Sequence, residues 1–112
     1  MSQILHLDQI RARNALARGD VREEDGGDQL SGYPSLVINN GLIATLAFSL
    51  EKGGQHARIA DAIAAHLKDL GIIPSDGGEA LRDALCHGTS FTLCRATREA
   101  LAFLAYLKRF HR

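Results

Sequence analysis

Apolar residues along this chain recur at intervals of three and four, and runs that alternate apolar with polar over the length of a strand are missing. With alanine, leucine and long-chain residues filling the segments between glycines, that periodicity predicts an all-α fold. The first helix is expected from about Gln3 to Arg18, where Gly19 and Asp20 end it. The following stretch, DVREEDGGDQLSG, is polar and glycine-bearing, so residues 20–33 read as an exposed loop. Pro34 suits a first helical turn and opens a second helix that continues to about Glu51, closed by Gly53 and Gly54. From Gln55 to Leu70, Ile59, Ile63 and Leu67 repeat at four-residue steps among alanines, and Gly71 supplies the stop. Pro74 to Gly78 reads as a loop. A short helix from about Glu79 to His87 and a long one from about Ser90 to Phe110 follow, divided by Gly88. The expectation is a single compact bundle of about five helices over residues 1–112, with a long C-terminal helix.

Asn40-Gly41 is the strongest hairpin signal in the sequence. Neither LVIN before it nor LIAT after it alternates, and LIATLAFSL is rich in helix formers, so a distorted helix is the better reading. Asn39, Asn40 and Gly41 together cost a helix about 2 kcal/mol relative to alanine. Something must favour them, either a close neighbouring molecule or tight packing against another helix of the same chain.

Composition adds little to this picture. The 112 residues, 46% hydrophobic and 23% charged, describe one ordinary globular domain and exclude a disordered chain. Thirteen Lys and Arg balance thirteen Asp and Glu, which removes the bulk signature of a nucleic-acid binder. The balance conceals segregation. Residues 1–22 carry four arginines against two aspartates, and residues 91–112 carry five basic residues against Glu99 alone, whereas residues 23–90 hold ten acids against four bases. No apolar run approaches the ~20 residues that span a bilayer, and MSQILHLDQIRAR lacks the apolar centre of a signal peptide. Two cysteines are too few for a secreted disulfide scaffold. A cytoplasmic location with reduced thiols, and no membrane partner, is therefore expected.

The long C-terminal helix carries the sharpest pattern. At about 100° per residue, Arg95, Arg98, Ala102, Ala105, Arg109 and Arg112 fall in one arc, opposite Leu93, Ala100, Phe103, Leu104, Leu107 and Phe110. The apolar arc fixes the helix to the bundle, so the arginines must face outward. Guanidinium forks match phosphate oxygens, and the alanines between them leave a shallow track, suited to an RNA backbone or an acidic protein face. A plain solvated helix face with bases opposing the helix dipole would account for Lys108, Arg109 and Arg112, but less well for Arg95 and Arg98.

Catalytic patterns are missing. Cys86, His87 and Cys94 offer zinc-binding atoms without paired CxxC spacing, and buried thiols near helix ends are the ordinary reading. His6, His56, His66, His87 and His111 form no HExxH pattern and read as surface or packing residues, and neither a phosphate-binding loop nor a nucleophile elbow occurs. Asp61 and Asp69 read as supports of a solvated face. No catalytic residue, metal site or cofactor is expected.

The run from Pro34 to Phe48, PSLVINNGLIATLAF, and the ending from Thr97 to Phe110, TREALAFLAYLKRF, resemble the small subunit of type III-B CRISPR effector complexes, the Cmr complexes. Arg11-Ala12 adds a third, weaker match, while residues 53–90 match only in length and helical character. Tyr106 stands where the family often has tryptophan, and Cys94 where tyrosine is common. The resemblance implies a non-catalytic, all-helical protein that stacks in several copies along a crRNA-guided RNA-silencing complex, beside other Cmr subunits, and touches the backbone of guide and target RNA. Arg95, Arg98 and Arg109 are then the leading candidates for phosphate contact, with Lys108 next to them and Arg11, Arg18 and Lys52 in second rank. The competing readings are a helical adaptor that binds an acidic protein without meeting nucleic acid, and a thiol- or zinc-dependent enzyme using Cys86, His87 and Cys94.

Overall fold

The computed structural model describes residues 6–22 and 29–111, and among these it contains helices and no strand. The helices are α1 (Leu7–Leu16), α2 (Gln29–Asn40), α3 (Leu42–Lys52), α4 (Gly54–Asp69), α5 (Gly78–His87) and α6 (Ser90–His111), with a 3-10 turn at Gly19–Val21. The all-α class and the long last helix agree with the sequence. The expected start of the first helix at Gln3 lies outside the described residues.

Two expectations are corrected. The helix foreseen from Pro34 to Glu51 is two helices, so the described residues form six rather than five. At Gly41 the backbone takes φ +88°, which L side chains rarely adopt. There the Gly41 N–H donates to the Val37 carbonyl at 2.8 Å and closes α2. The Gly41 carbonyl accepts from the Thr45 amide at 3.1 Å and the Thr45 hydroxyl at 2.8 Å, which starts α3. The poor helix formers thus mark a complete break.

The second correction concerns the loop over residues 20–33, because α2 begins inside it at Gln29. Leu30, Tyr33 and Val37 recur at steps of three and four and are all buried, so the polar residues between them are the outer face of a helix. Pro34 stands sixth in α2 rather than first. It forfeits an amide bond toward Leu30, and burial of the flanking stripe outweighs that loss. The Tyr33 hydroxyl meets Ser49 Oγ of α3 at 2.6 Å, and its burial pushes the phenol up to about 12.

Helix α4 is the hub, touching every other helix and the 3-10 turn. Its buried face, Ile59, Ala60, Ala62, Ile63, Ala64, His66 and Leu67, is narrow enough for close approach on several sides because four of its members are small or planar. The 3-10 turn is tied to it by Gln55 Nε2 donating to the Val21 carbonyl and Arg58 Nε donating to the Asp20 carbonyl, each at 2.7 Å. At the start of α5, the Gly78 N–H donates to Asp61 at 2.8 Å, so that aspartate docks a helix rather than solvating a face.

Alanine at two glycines should separate these local effects. Gly41→Ala forces a methyl group onto a positive-φ backbone and is expected to lower unfolding stability by about 1–2 kcal/mol in urea denaturation. Gly32→Ala, within α2 and facing open space, is expected to raise it by about 0.5–1 kcal/mol.

Candidate nucleic-acid interface

Helix α6 is preceded by Thr89, whose hydroxyl accepts the Thr92 N–H at 3.1 Å as a cap. Ala96, Ala100, Phe103, Leu104 and Leu107 are buried along one side, and each large apolar side chain removed from water contributes roughly 1.5–3 kcal/mol to holding the helix down. On the other side Arg95, Arg98, Ala105 and Arg109 are exposed and Ala102 is half-buried. Arg112 lies outside the described residues. Among the described residues, no carboxylate lies within 4 Å of the Arg95, Arg98 or Arg109 guanidinium.

The remaining candidates are placed differently. Arg11 of α1 spans to α6, where Nε donates to Glu99 Oε2 at 2.7 Å and Nη2 donates to Oε1 at 2.8 Å. Arg18 is held by Asp20 through two bonds of 3.0 Å. Lys108 is half-buried beside the stripe. Lys52 is exposed at the end of α3, which packs chiefly on α4 and α5. The structure therefore brings Arg11, Arg95 and Arg98 to the rim of one groove of about 430 Å³, lined also by Leu7, Leu70, Ile72 and Glu99. Arg109 borders a second concavity of about 360 Å³ with Ala105, Tyr106 and Phe110.

Behind the groove lies a network that sequence reasoning missed. Glu99 is buried, and its Oε2 also accepts from His66 Nε2 at 2.8 Å. The His66 ring stacks on Phe103 with centroids 4.2 Å apart, and Asn14 Nδ2 donates to its Nδ1 at 2.9 Å. The bond from Asn14 makes Nδ1 an acceptor, which fixes the neutral ring with its proton on Nε2, facing Glu99. Burial pushes His66 below the ordinary histidine range, against the opposing pull of Glu99. For Glu99 burial acts upward, but the hydrogen bonds from Arg11 and His66 outweigh it and hold the carboxyl low. Asp69 extends the network, accepting from Asn14 at 3.0 Å and Arg13 at 3.2 Å, and so is no mere solvated acid. A signal for His66 was present in its position on the apolar face of α4, one turn from Ile63. Glu99 gave less warning, lying only about 40° around the helix from Arg95.

The cysteines also differ from expectation, since Cys86 and Cys94 are both exposed free thiols. Cys94 falls on the stripe side of α6 and Cys86 about 100° from Leu85 on α5, away from the packed faces. Among the described residues no group of three or more His, Cys, Asp or Glu is placed to hold a metal ion. Among them, too, no helix is long and apolar enough to cross a membrane.

Residues 7–112 match the family described as CRISPR-associated protein (Cas_Cmr5). This chain belongs to the CRISPR-associated Cmr5 family. It is also similar to the X-ray structure of a CRISPR-associated Cmr5 family protein from Thermus thermophilus, with 27% identity, 95% of each chain covered and a TM-score of 0.70. No curated protein matches the chain. The resemblance read from the two sequence blocks to the small subunit of the type III-B Cmr complex holds. The first block spans α2, the Gly41 break and α3, and the second lies within α6. Within the second block the Tyr106 hydroxyl donates to Asp8 and so joins α6 to α1.

The buried network makes stability depend on acidity. Neutral His66 is favoured by the fold, so protonation of the unfolded chain withdraws stability as pH falls below about 6.5. Glu99, held low in the fold, adds a second loss as pH falls further, below about 4.3. Urea denaturation between pH 8 and pH 5 is expected to show the first loss in the parent chain and a reduced one in His66→Gln. Glu99→Ala, which strands the buried His66 N–H and the Arg11 fork, is expected to cost about 2–4 kcal/mol at pH 7.5.

Proposed function

We propose that this chain is a non-catalytic small subunit of a crRNA-guided type III-B RNA-silencing complex, stacked with further copies of itself and other Cmr subunits along the effector filament. In this reading Arg95, Arg98 and Arg109 face the sugar-phosphate backbone of guide or target RNA, and the protein reads no bases through them. Lys108 flanks the track and Lys52 lies apart from it. Arg11 serves instead as the internal partner that positions α6.

The observation that carries the reading is the difference between two sets of arginines. Arg11, Arg13 and Arg18 are each matched to an acid of the same chain, whereas Arg95, Arg98 and Arg109 are left without one among the described residues, aligned on one helix face. Aligned cations without internal partners favour a polyanion, whose binding releases counterions and is steeply sensitive to salt. Copies stacked head to tail need two complementary surfaces, and the segregation of basic ends from an acidic middle supplies charges of both signs.

In a reconstituted complex, joint Arg95→Ala and Arg98→Ala substitution is expected to weaken RNA binding and to flatten its logarithmic salt dependence by up to about two slope units. Arg18→Ala, whose guanidinium is already engaged, is expected to leave the slope alone. An unchanged slope in the double variant would assign these arginines to protein contacts.

A further inference from the structure

We propose that Phe91 is a stacking platform for an unpaired nucleobase of a single-stranded RNA whose backbone follows Arg95 and Arg98, an inference that rests on the reading of α6 as an RNA-contacting face. Phe91 is 75% exposed, more than any other large apolar side chain among the described residues. It occupies the first turn of α6, four residues before Arg95 and seven before Arg98. Those intervals place the ring about 40° from Arg95 and about 20° from Arg98 around the helix, and about 6 and 10 Å from them along its axis. Ring and guanidinium forks therefore share one face.

The interior side of the same turn is already filled by Leu93, packed against the core, and by buried Ala96, so the ring has no place in the fold to occupy. Its surroundings argue for the occupant. An apolar protein partner would be met on this face by two cations that no acid among the described residues pairs, whose desolvation it could not offset. A nucleotide presents both required chemistries together: an aromatic face for Phe91 and an anionic linkage for the arginines one and two turns on. The dipole of α6 adds partial positive charge at the same end. The bases of an intact duplex are stacked on one another and do not offer a free face, which restricts the ligand to single-stranded RNA.

The chain contains no tryptophan, so Phe91→Trp places a single fluorescent reporter on the face. Titration of the full-length variant with a short oligoadenylate at low salt is expected to quench its emission, whereas an abasic oligonucleotide of equal length and charge binds without quenching. Phe91→Ala is expected to weaken oligoadenylate binding by about 5- to 150-fold, with Phe91→Tyr close to the parent and abasic binding unaffected. If both oligonucleotides bind in a salt-dependent manner but neither quenching nor the Phe91→Ala loss occurs, the stacking role falls and the arginine track stands. If neither oligonucleotide binds, the reading of α6 as an RNA face falls too. An emission change that follows protein concentration rather than RNA would make Phe91 a contact between copies and overturn the proposal.

Discussion

The Glu99 carboxylate is the point on which the arrangement of helices turns. It belongs to α6, receives Arg11 from α1 and His66 from α4, and so joins three helices through two oxygen atoms. A buried carboxylate is costly unless its oxygens are satisfied, and replacing any partner leaves a charge or a donor stranded. The pairing is therefore selective for one register of α1 and α4 against α6. Asn14 and Asp69 extend it outward, and Phe103 supplies a flat surface for the imidazole. With α6 fixed in rotation by this contact, the arginine stripe beside it is left facing solvent.

The same contact sorts the positive charges. In the first 22 residues Arg11, Arg13 and Arg18 are matched to Glu99, Asp69 and Asp20, so much of the basic character at this end of the chain is internal. On α6 the only acid in the last 22 residues is turned inward, and Arg95 and Arg98 stand as like-charged neighbours three residues apart. Such neighbours repel by a few tenths of a kcal/mol on an isolated helix. An anion lying across both would relieve that repulsion.

Kinship at 27% identity with a TM-score of 0.70 fits a fold specified by pattern more than by particular residues. A core of aliphatic residues at helical spacing tolerates exchange of one for another while volume and periodicity persist. Positions that demand a particular chemistry are fewer. Gly41 is one because its backbone excludes a side chain, and Glu99 is another because its partners require an anion.

Read residue by residue, the chain already specifies its helical class, the helix ends set by Gly53, Gly71 and Gly88, and the division of α6 into an apolar arc and an arginine stripe. These follow from local propensity and from 3.6-residue periodicity, which act within one segment. The same reading misjudges the loop before Pro34, where Leu30, Tyr33 and Val37 gain their helix from burial against α3 and α6, and it takes the Gly41 break for a bend. Which arginines are free, and why a glutamate and a histidine lie in the interior, depends on how the helices pack. Arg11 and Glu99 are 88 residues apart, and no periodicity along a chain carries information about a pairing made across that distance.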